Sequence, residues 1–230
     1  MGACHLLHIR ILSGSVPFCE HSSLRIVPDG IYYACGLTLV GLALSYFLSP
    51  WVGVPFYVLA AFCLYFFRDP ERIPPPGDVM VSPADGKVVS IRKLSDAETR
   101  VSIFLNIFDV HVNRTPIPGK ITDIQYQEGK FLVASLEAAS SQNEQNTLVV
   151  EGSGTRVVCR QIAGLIARRI VCYKRPGDSV EKGERIGYIK FGSRVDVLFG
   201  PEWNTAVNVG ARVAGGLTIM ANRAAQREAQ

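Results

Sequence analysis

The strongest constraint on this chain is a stretch that carries no charge. From Ile31 to Phe67, 37 consecutive residues include no Asp, Glu, Lys, Arg or His. As one helix they would run about 55 Å, well beyond a hydrocarbon core of about 30 Å. Ser49-Pro50 and Pro55 interrupt the run in its middle, because proline donates no helical hydrogen bond and crowds the preceding turn. The sequence therefore predicts two apolar arms, 31–48 and 51–67, each about 26 Å long as a helix. They form a helical hairpin that enters a bilayer and returns, with both ends on one face. A hairpin buried in a soluble protein fits less well, since no amphipathic pattern marks a solvent side. A cleaved leader fits poorly too: the run starts late, is too long, and follows acidic Glu20 and Asp29. Arg25 on one flank and Arg68 and Arg72 on the other point both ends toward the cytoplasm.

The remainder reads differently. All but Arg10 and Arg25 of the 24 basic residues, and all but Glu20 and Asp29 of the 20 acidic ones, follow Phe67. The whole +4 excess thus belongs to the part that would face an anionic lipid surface. No dense basic run with interleaved aromatics is present, which argues against nucleic acid. Six cysteines (4, 19, 35, 63, 159 and 172) show no Cys-x-x-Cys pair, so they read as free thiols rather than a secreted disulfide framework. Residues 1–30 form an irregular extension; His5, His8, His21, Cys4 and Cys19 there follow no common zinc spacing, and no metal site is expected. From Val79 onward, short runs rich in β-formers alternate with Gly/Pro/Asp turns. Among them are Lys87–Leu94, Val101–Val112, Thr147–Glu151 paired with Thr155–Ile162 across Gly152-Ser-Gly154, and Arg194–Phe199. The stretch 135–141 could hold a short helix or a loop. The expected fold is mostly β, a compact sandwich-like or barrel-like domain over 68–230 carrying the 31–67 hairpin.

Candidate chemistry is sparse: there is no phosphate loop, no metal cluster and no Gly-x-Ser-x-Gly elbow. His111 is the only histidine beyond the hairpin, with Asp109 two residues away on the same face if 101–112 is one strand. Asp85, before Gly86, reads on local chemistry as a turn residue. Gly192-Ser193 falls between two apolar β-favouring runs, where a free turn is not expected, and a strained peptide there could expose a carbonyl to the neighbouring hydroxyl.

Six segments in order complete the reading: Phe66-Phe-Arg-Asp-Pro-Glu-Arg72, Ser82-Pro-Ala-Asp-Gly-Lys87, Phe108-Asp-Val-His-Val-Asn113, Gln161-Ile-Ala-Gly-Leu-Ile-Ala-Arg-Arg169, Pro176-Gly-Asp-Ser-Val-Glu-Lys-Gly-Glu184 and Phe191-Gly-Ser-Arg-Val-Asp196. Together with the hairpin they resemble the phosphatidylserine decarboxylase proenzymes of the short bacterial type. The resemblance implies a self-processing zymogen of phospholipid biosynthesis. Ser193 would attack the Gly192 carbonyl, and the chain would part into a large subunit (1–192) and a small one (193–230). Ser193 would become a pyruvoyl group, which forms a Schiff base with the serine amine of phosphatidylserine and accepts the electron pair left when CO2 departs. His111, oriented by Asp85, would be the base, in the logic of a Ser-His-Asp triad. The product would be phosphatidylethanolamine, made on the cytoplasmic face of the cell (inner) membrane. The implied partners are an anionic phospholipid, the bilayer, and the chain's own two subunits as a heterodimer able to assemble further into a homo-oligomer. Arg68 and Arg72 are candidates to receive the lipid phosphate. Where longer members have a second histidine, three residues on from His111, this chain has Arg114.

Two other readings compete. The segment 176–184 also resembles the hairpin of biotinyl/lipoyl-type modules, which would make the protein a membrane-anchored, non-catalytic binding module; the expected Lys-bearing hairpin tip is missing. A pyruvoyl decarboxylase of a soluble amino acid would have no need of a lipid-seeking hairpin.

Overall fold

The computed structural model describes residues 24–129, 143–164, 169–190 and 192–224. Cys4, His5, His8, Cys19 and His21, and the 135–141 stretch, lie outside these residues.

Two helices form the hairpin, α1 (Pro28–Phe47) and α2 (Pro50–Phe66). The break falls at Leu48-Ser49 alone. Pro55 lies inside α2 without ending it. Each helix starts with proline, whose fixed φ suits the first helical position and whose missing N–H would have no partner there. The helices touch through glycine. A Cβ on Gly53 would stand 2.6 Å from the Gly41 carbonyl, and one on Gly41 would stand 2.7 Å from the Tyr57 ring. Small residues at a crossing let two helix backbones approach this closely. Ser45 Oγ and Tyr57 OH add a hydrogen bond at 3.1 Å. The outer surfaces stay apolar and uncovered: Tyr46 and Trp51, at the tip, are 84% and 82% exposed. Among the described residues α1 alone is long and apolar enough to cross a bilayer; α2 is shorter.

The two open ends are stapled together. β1 (Leu24–Ile26) pairs antiparallel with β2 (Arg68–Pro70), and Val27 N donates to Phe67 O at 2.9 Å. Asp29, in the first turn of α1, accepts from Tyr188 OH and Lys190 Nζ, each at 2.6 Å. Phe66 and Phe67 sink into an apolar cluster with Val27, Val110, Val112 and Tyr188. The hairpin is thus continuous with the domain below it.

Among the described residues, that domain comprises three antiparallel sheets. The largest runs β11 (Ser179–Val180), β7 (Gly119–Gln127), β8 (Gln145–Gly152), β9 (Thr155–Ala163), β13 (Ser193–Phe199), β5 (Glu98–Leu105), β4 (Gly86–Ser95), β15 (Arg212–Val213). A second runs β10 (Ile170–Cys172), β12 (Arg185–Ile189), β6 (Val112–Arg114), and a third β14 (Trp203–Thr205), β16 (Ile219–Arg223), β3 (Val79–Val81). Met80, Ile103, Leu148, Ile186, Val197 and Met220 from all three enclose one core. This is the mostly β architecture expected. The β8–β9 hairpin keeps its predicted partners, with Gly152 opposite Thr155. The four described cysteines are free.

Candidate active site

The run 101–112 is not one strand. β5 stops at Leu105 and β6 begins at Val112. Between them Asn106 and Asp109 make side-chain bonds to the backbone: Asp109 Oδ2 accepts from Asn106 N at 2.8 Å and Asn106 Oδ1 from Phe108 N at 2.7 Å. Such bonds compete with a ladder and favour a turn. His111 and Asp109 therefore do not share a strand face. Instead His111 Nδ1 donates to the Asp109 carbonyl at 2.9 Å, and since a carbonyl only accepts, the proton sits on Nδ1. Nε2 is left with its lone pair, buried and without a hydrogen-bond partner among the described residues. The ring lies against Phe66, centroids 4.2 Å apart. Burial pushes its pKa down to about 4, against the opposing pull of Asp109 and Asp85, and with a further lowering by Arg68. At neutral pH His111 is an uncharged base.

Asp85 is fully engaged elsewhere. Arg72 reaches both its oxygens, at 2.5 and 2.9 Å, and Gly215 N donates to Oδ1 at 2.8 Å. Arg72 also bonds the Gly215 carbonyl, at 2.6 Å. Its side chain is only 7% exposed, so it is committed to Asp85 rather than to a lipid phosphate. Among the described contacts, then, His111 is oriented by the Asp109 carbonyl, and Asp85 acts on it through its field. Arg68 donates to the carbonyls of Phe108 and Tyr65, at 2.7 and 2.8 Å, and stacks on the Tyr65 ring; among the described residues it has no carboxylate partner. Arg114 is buried and bonds Asp69, Gly183 O and Pro70 O, with Arg185 sharing Asp69. It clamps β6 to the end of the hairpin.

Ser193 opens β13, opposite Leu105 of β5 and Ala163 of β9. It is fully buried, and its Oγ has no hydrogen-bond partner among the described residues. Gly192 precedes it at φ +61, in the left-handed region that side chains resist. Behind the serine, on the other face of β13, Arg194 Nε bonds Asp196 Oδ1 and its NH2 bonds Ser102 Oγ, both at 2.7 Å. His111 comes to the same end of the sheet by two routes. Its loop leaves β5 at Leu105, the residue opposite Ser193, and its carbonyl accepts from Ile189 N at 3.4 Å, four residues before Ser193.

The sequence reading passed over Asn113, Gln161 and Asn146, buried amides bonded to one another on the core side of β9. Asn113 and Gln161 lie in the segments that carried the resemblance, but nothing in their local spacing singles them out. No group of three or more His, Cys, Asp or Glu among the described residues could hold a metal.

A β domain on an apolar hairpin, with a hydroxyl and an imidazole nitrogen left open inside it, has the make-up of an enzyme rather than a carrier module. The family model for phosphatidylserine decarboxylase matches residues 59–221, from within α2 to β16. The phosphatidylserine decarboxylase proenzyme of Solibacter usitatus (strain Ellin6076) is 58% identical over 200 residues, 87% of this chain and 98% of that protein. This chain belongs to the phosphatidylserine decarboxylase family.

Proposed function

We propose that this protein removes the carboxylate of phosphatidylserine as CO2, leaving phosphatidylethanolamine, and that it does so after severing its own chain between Gly192 and Ser193. The first part follows from the family. The second is carried by one observation: the Ser193 hydroxyl, fully buried and unpartnered among the described residues, stands beside a left-handed glycine. Burying a hydroxyl without a partner is costly, and a residue about to react is a reason to bear it.

The chemistry runs as an acyl shift. Ser193 Oγ attacks the Gly192 carbonyl carbon while its proton passes to His111 Nε2. Collapse breaks the Gly192–Ser193 C–N bond, and the proton goes to the departing nitrogen, leaving an ester. Loss of the Ser193 α-proton expels the Gly192 carboxylate and ends the large subunit (1–192). Water then replaces the nitrogen at 193, ammonia leaves, and a pyruvoyl group begins the small subunit (193–230). When present, that carbonyl supplies the electron sink for decarboxylation. Burial keeps His111 neutral, as a base must be, and the Asp85 carboxylate favours the imidazolium formed when it takes the proton. β13 is paired on one side to β5 and on the other to β9, so scission would leave the small subunit threaded into the large one as a heterodimer.

The exposed apolar hairpin suits a substrate that sits in lipid, with 31–67 as anchor, 68–230 as catalyst and the reaction at the cytoplasmic face. Arg68, at the hairpin's exit, is the cation available for the lipid phosphate. Intact mass spectrometry of the wild type beside Ser193→Ala tests the reading. Two chains parting at Gly192–Ser193, with a carbonyl at the new N-terminus, are expected from the first and one chain from the second. An uncut wild type that releases CO2 from phosphatidylserine vesicles would refute it.

A further inference from the structure

Among the buried side-chain atoms without a hydrogen bond among the described residues are Ser193 Oγ, His111 Nε2 and Asn113 Nδ2. The first two are the nucleophile and the base. The third has no task in that scheme. Asn113 is fully buried on β6, two residues beyond His111. Its orientation is fixed, because Gln161 Nε2 donates to its Oδ1 at 2.8 Å and Gln161 Oε1 accepts from Asn146 Nδ2 at 3.0 Å. With its oxygen so engaged, Asn113 presents its NH2 group away from the relay. Gln161 stands opposite Val195, two residues from Ala163, which stands opposite Ser193. Residues two apart on a strand share a face, so Gln161 and Ser193 point the same way. Diagonal neighbours of this kind lie about 7–8 Å apart, within reach of a further side chain.

We propose that the Asn113 side-chain amide is the donor that receives the oxyanion formed on the Gly192 carbonyl when Ser193 attacks. This rests on the self-cleavage reading above. As the Oγ–C bond forms, the carbonyl π pair moves to oxygen and Nδ2–H meets it. When the C–N bond breaks the carbonyl re-forms and the donor is free again. Asn113 neither gains nor loses a proton. A donor aimed in advance inside a dry site stabilises such a charge without reorganising, and the Gln161–Asn146 relay does the aiming. The acceptor missing from the resting chain is one that the reaction itself creates.

Asn113→Asp tests this, since it keeps an acceptor for Gln161 and removes the donor. Splitting of the full-length chain is followed by intact mass, with thermal unfolding alongside, and hydroxylamine is added as a probe that cuts esters but not amides. The expected variant melts close to the wild type, splits about a hundredfold more slowly, and is not cut by hydroxylamine, because the ester has not formed. Splitting at the wild-type rate would overturn the proposal. So would slow splitting with rapid hydroxylamine cleavage, which would place the defect after the acyl shift. Should Asn113→Asp not fold, Gln161→Glu carries the test: it draws Nδ2 into the relay, turns the amide over, and is expected to slow splitting in the same way. A wild type that does not split would instead sink the self-cleavage reading.

Discussion

Two buried polar clusters lie at the hairpin end of the β domain and are built on opposite rules. In one, around Asp69 and Asp85, every charge has an opposite charge beside it, although Arg114 Nε and Arg185 Nη2 make no hydrogen bond among the described residues: Asp69 takes Arg114 and Arg185, and Asp85 takes Arg72 and the Gly215 amide. In the other, around His111, Asn113 and Ser193, each side chain keeps one polar atom with no partner among the described residues. The first arrangement fastens the chain leaving the apolar hairpin to the sheets. On the self-cleavage proposed above, the second gives up stability where bonds are to be made and broken. Removing Asp69 or one of its arginines should damage folding and spare chemistry; removing a member of the second should do the reverse.

The largest effect is expected on the reactive side. His111→Gln should slow splitting by about 10²–10⁴, measured by intact mass over time, while the melting temperature holds or rises. On the fastening side, Asp69→Ala leaves two arginines without their shared carboxylate. Breaking a buried pair this way costs about 3–5 kcal/mol, readable by urea unfolding, while the fraction that remains folded should split at the normal rate. An Asp69→Ala chain of wild-type stability would erase the distinction.

Acid sharpens it. His111 titrates near 6.5 when unfolded and at about 4 when folded, so between those values the unfolded chain holds more protons. The stability that neutral His111 supports is full above pH 6.5 and lost as pH falls to about 4, on the order of 3 kcal/mol. In His111→Gln that part of the pH dependence should vanish. Within the hairpin, Gly53→Val would press on the Gly41 carbonyl and cost about 1–3 kcal/mol, seen as weaker association with phosphatidylserine vesicles. Smallest of all is Arg25→Ala. Its pair with Glu71 is exposed, so unfolding should shift by no more than about 0.5 kcal/mol.

How much of this could be read from the chain follows from the range of each interaction. The hairpin was legible because an uncharged run of 37 residues needs no tertiary context to be apolar, and the β8–β9 pairing because its turn is local. The loop at 106–111 was misread as strand: Val, Ile and Phe around it favour extension, and two short polar side chains, Asn106 and Asp109, override them. Arg72 was read as a membrane flank, since sequence position cannot reveal that it reaches Asp85 and Gly215. Ser193 and His111 stood out locally, but the roles expected of them came from the family pattern. Asn113 stayed hidden because what singles it out is a proton with no acceptor, a property of the folded interior alone.

Phe66 is at once the last residue of α2 and the ring that lies against His111. The hairpin and the imidazole are therefore in van der Waals contact, with no linker between them to take up slack. With the hairpin as the anchor proposed above, such an enzyme would work like a stylus on a fixed arm: the depth at which the hairpin settled would set the height of the imidazole above the hydrocarbon, and with it which part of a head group could be reached.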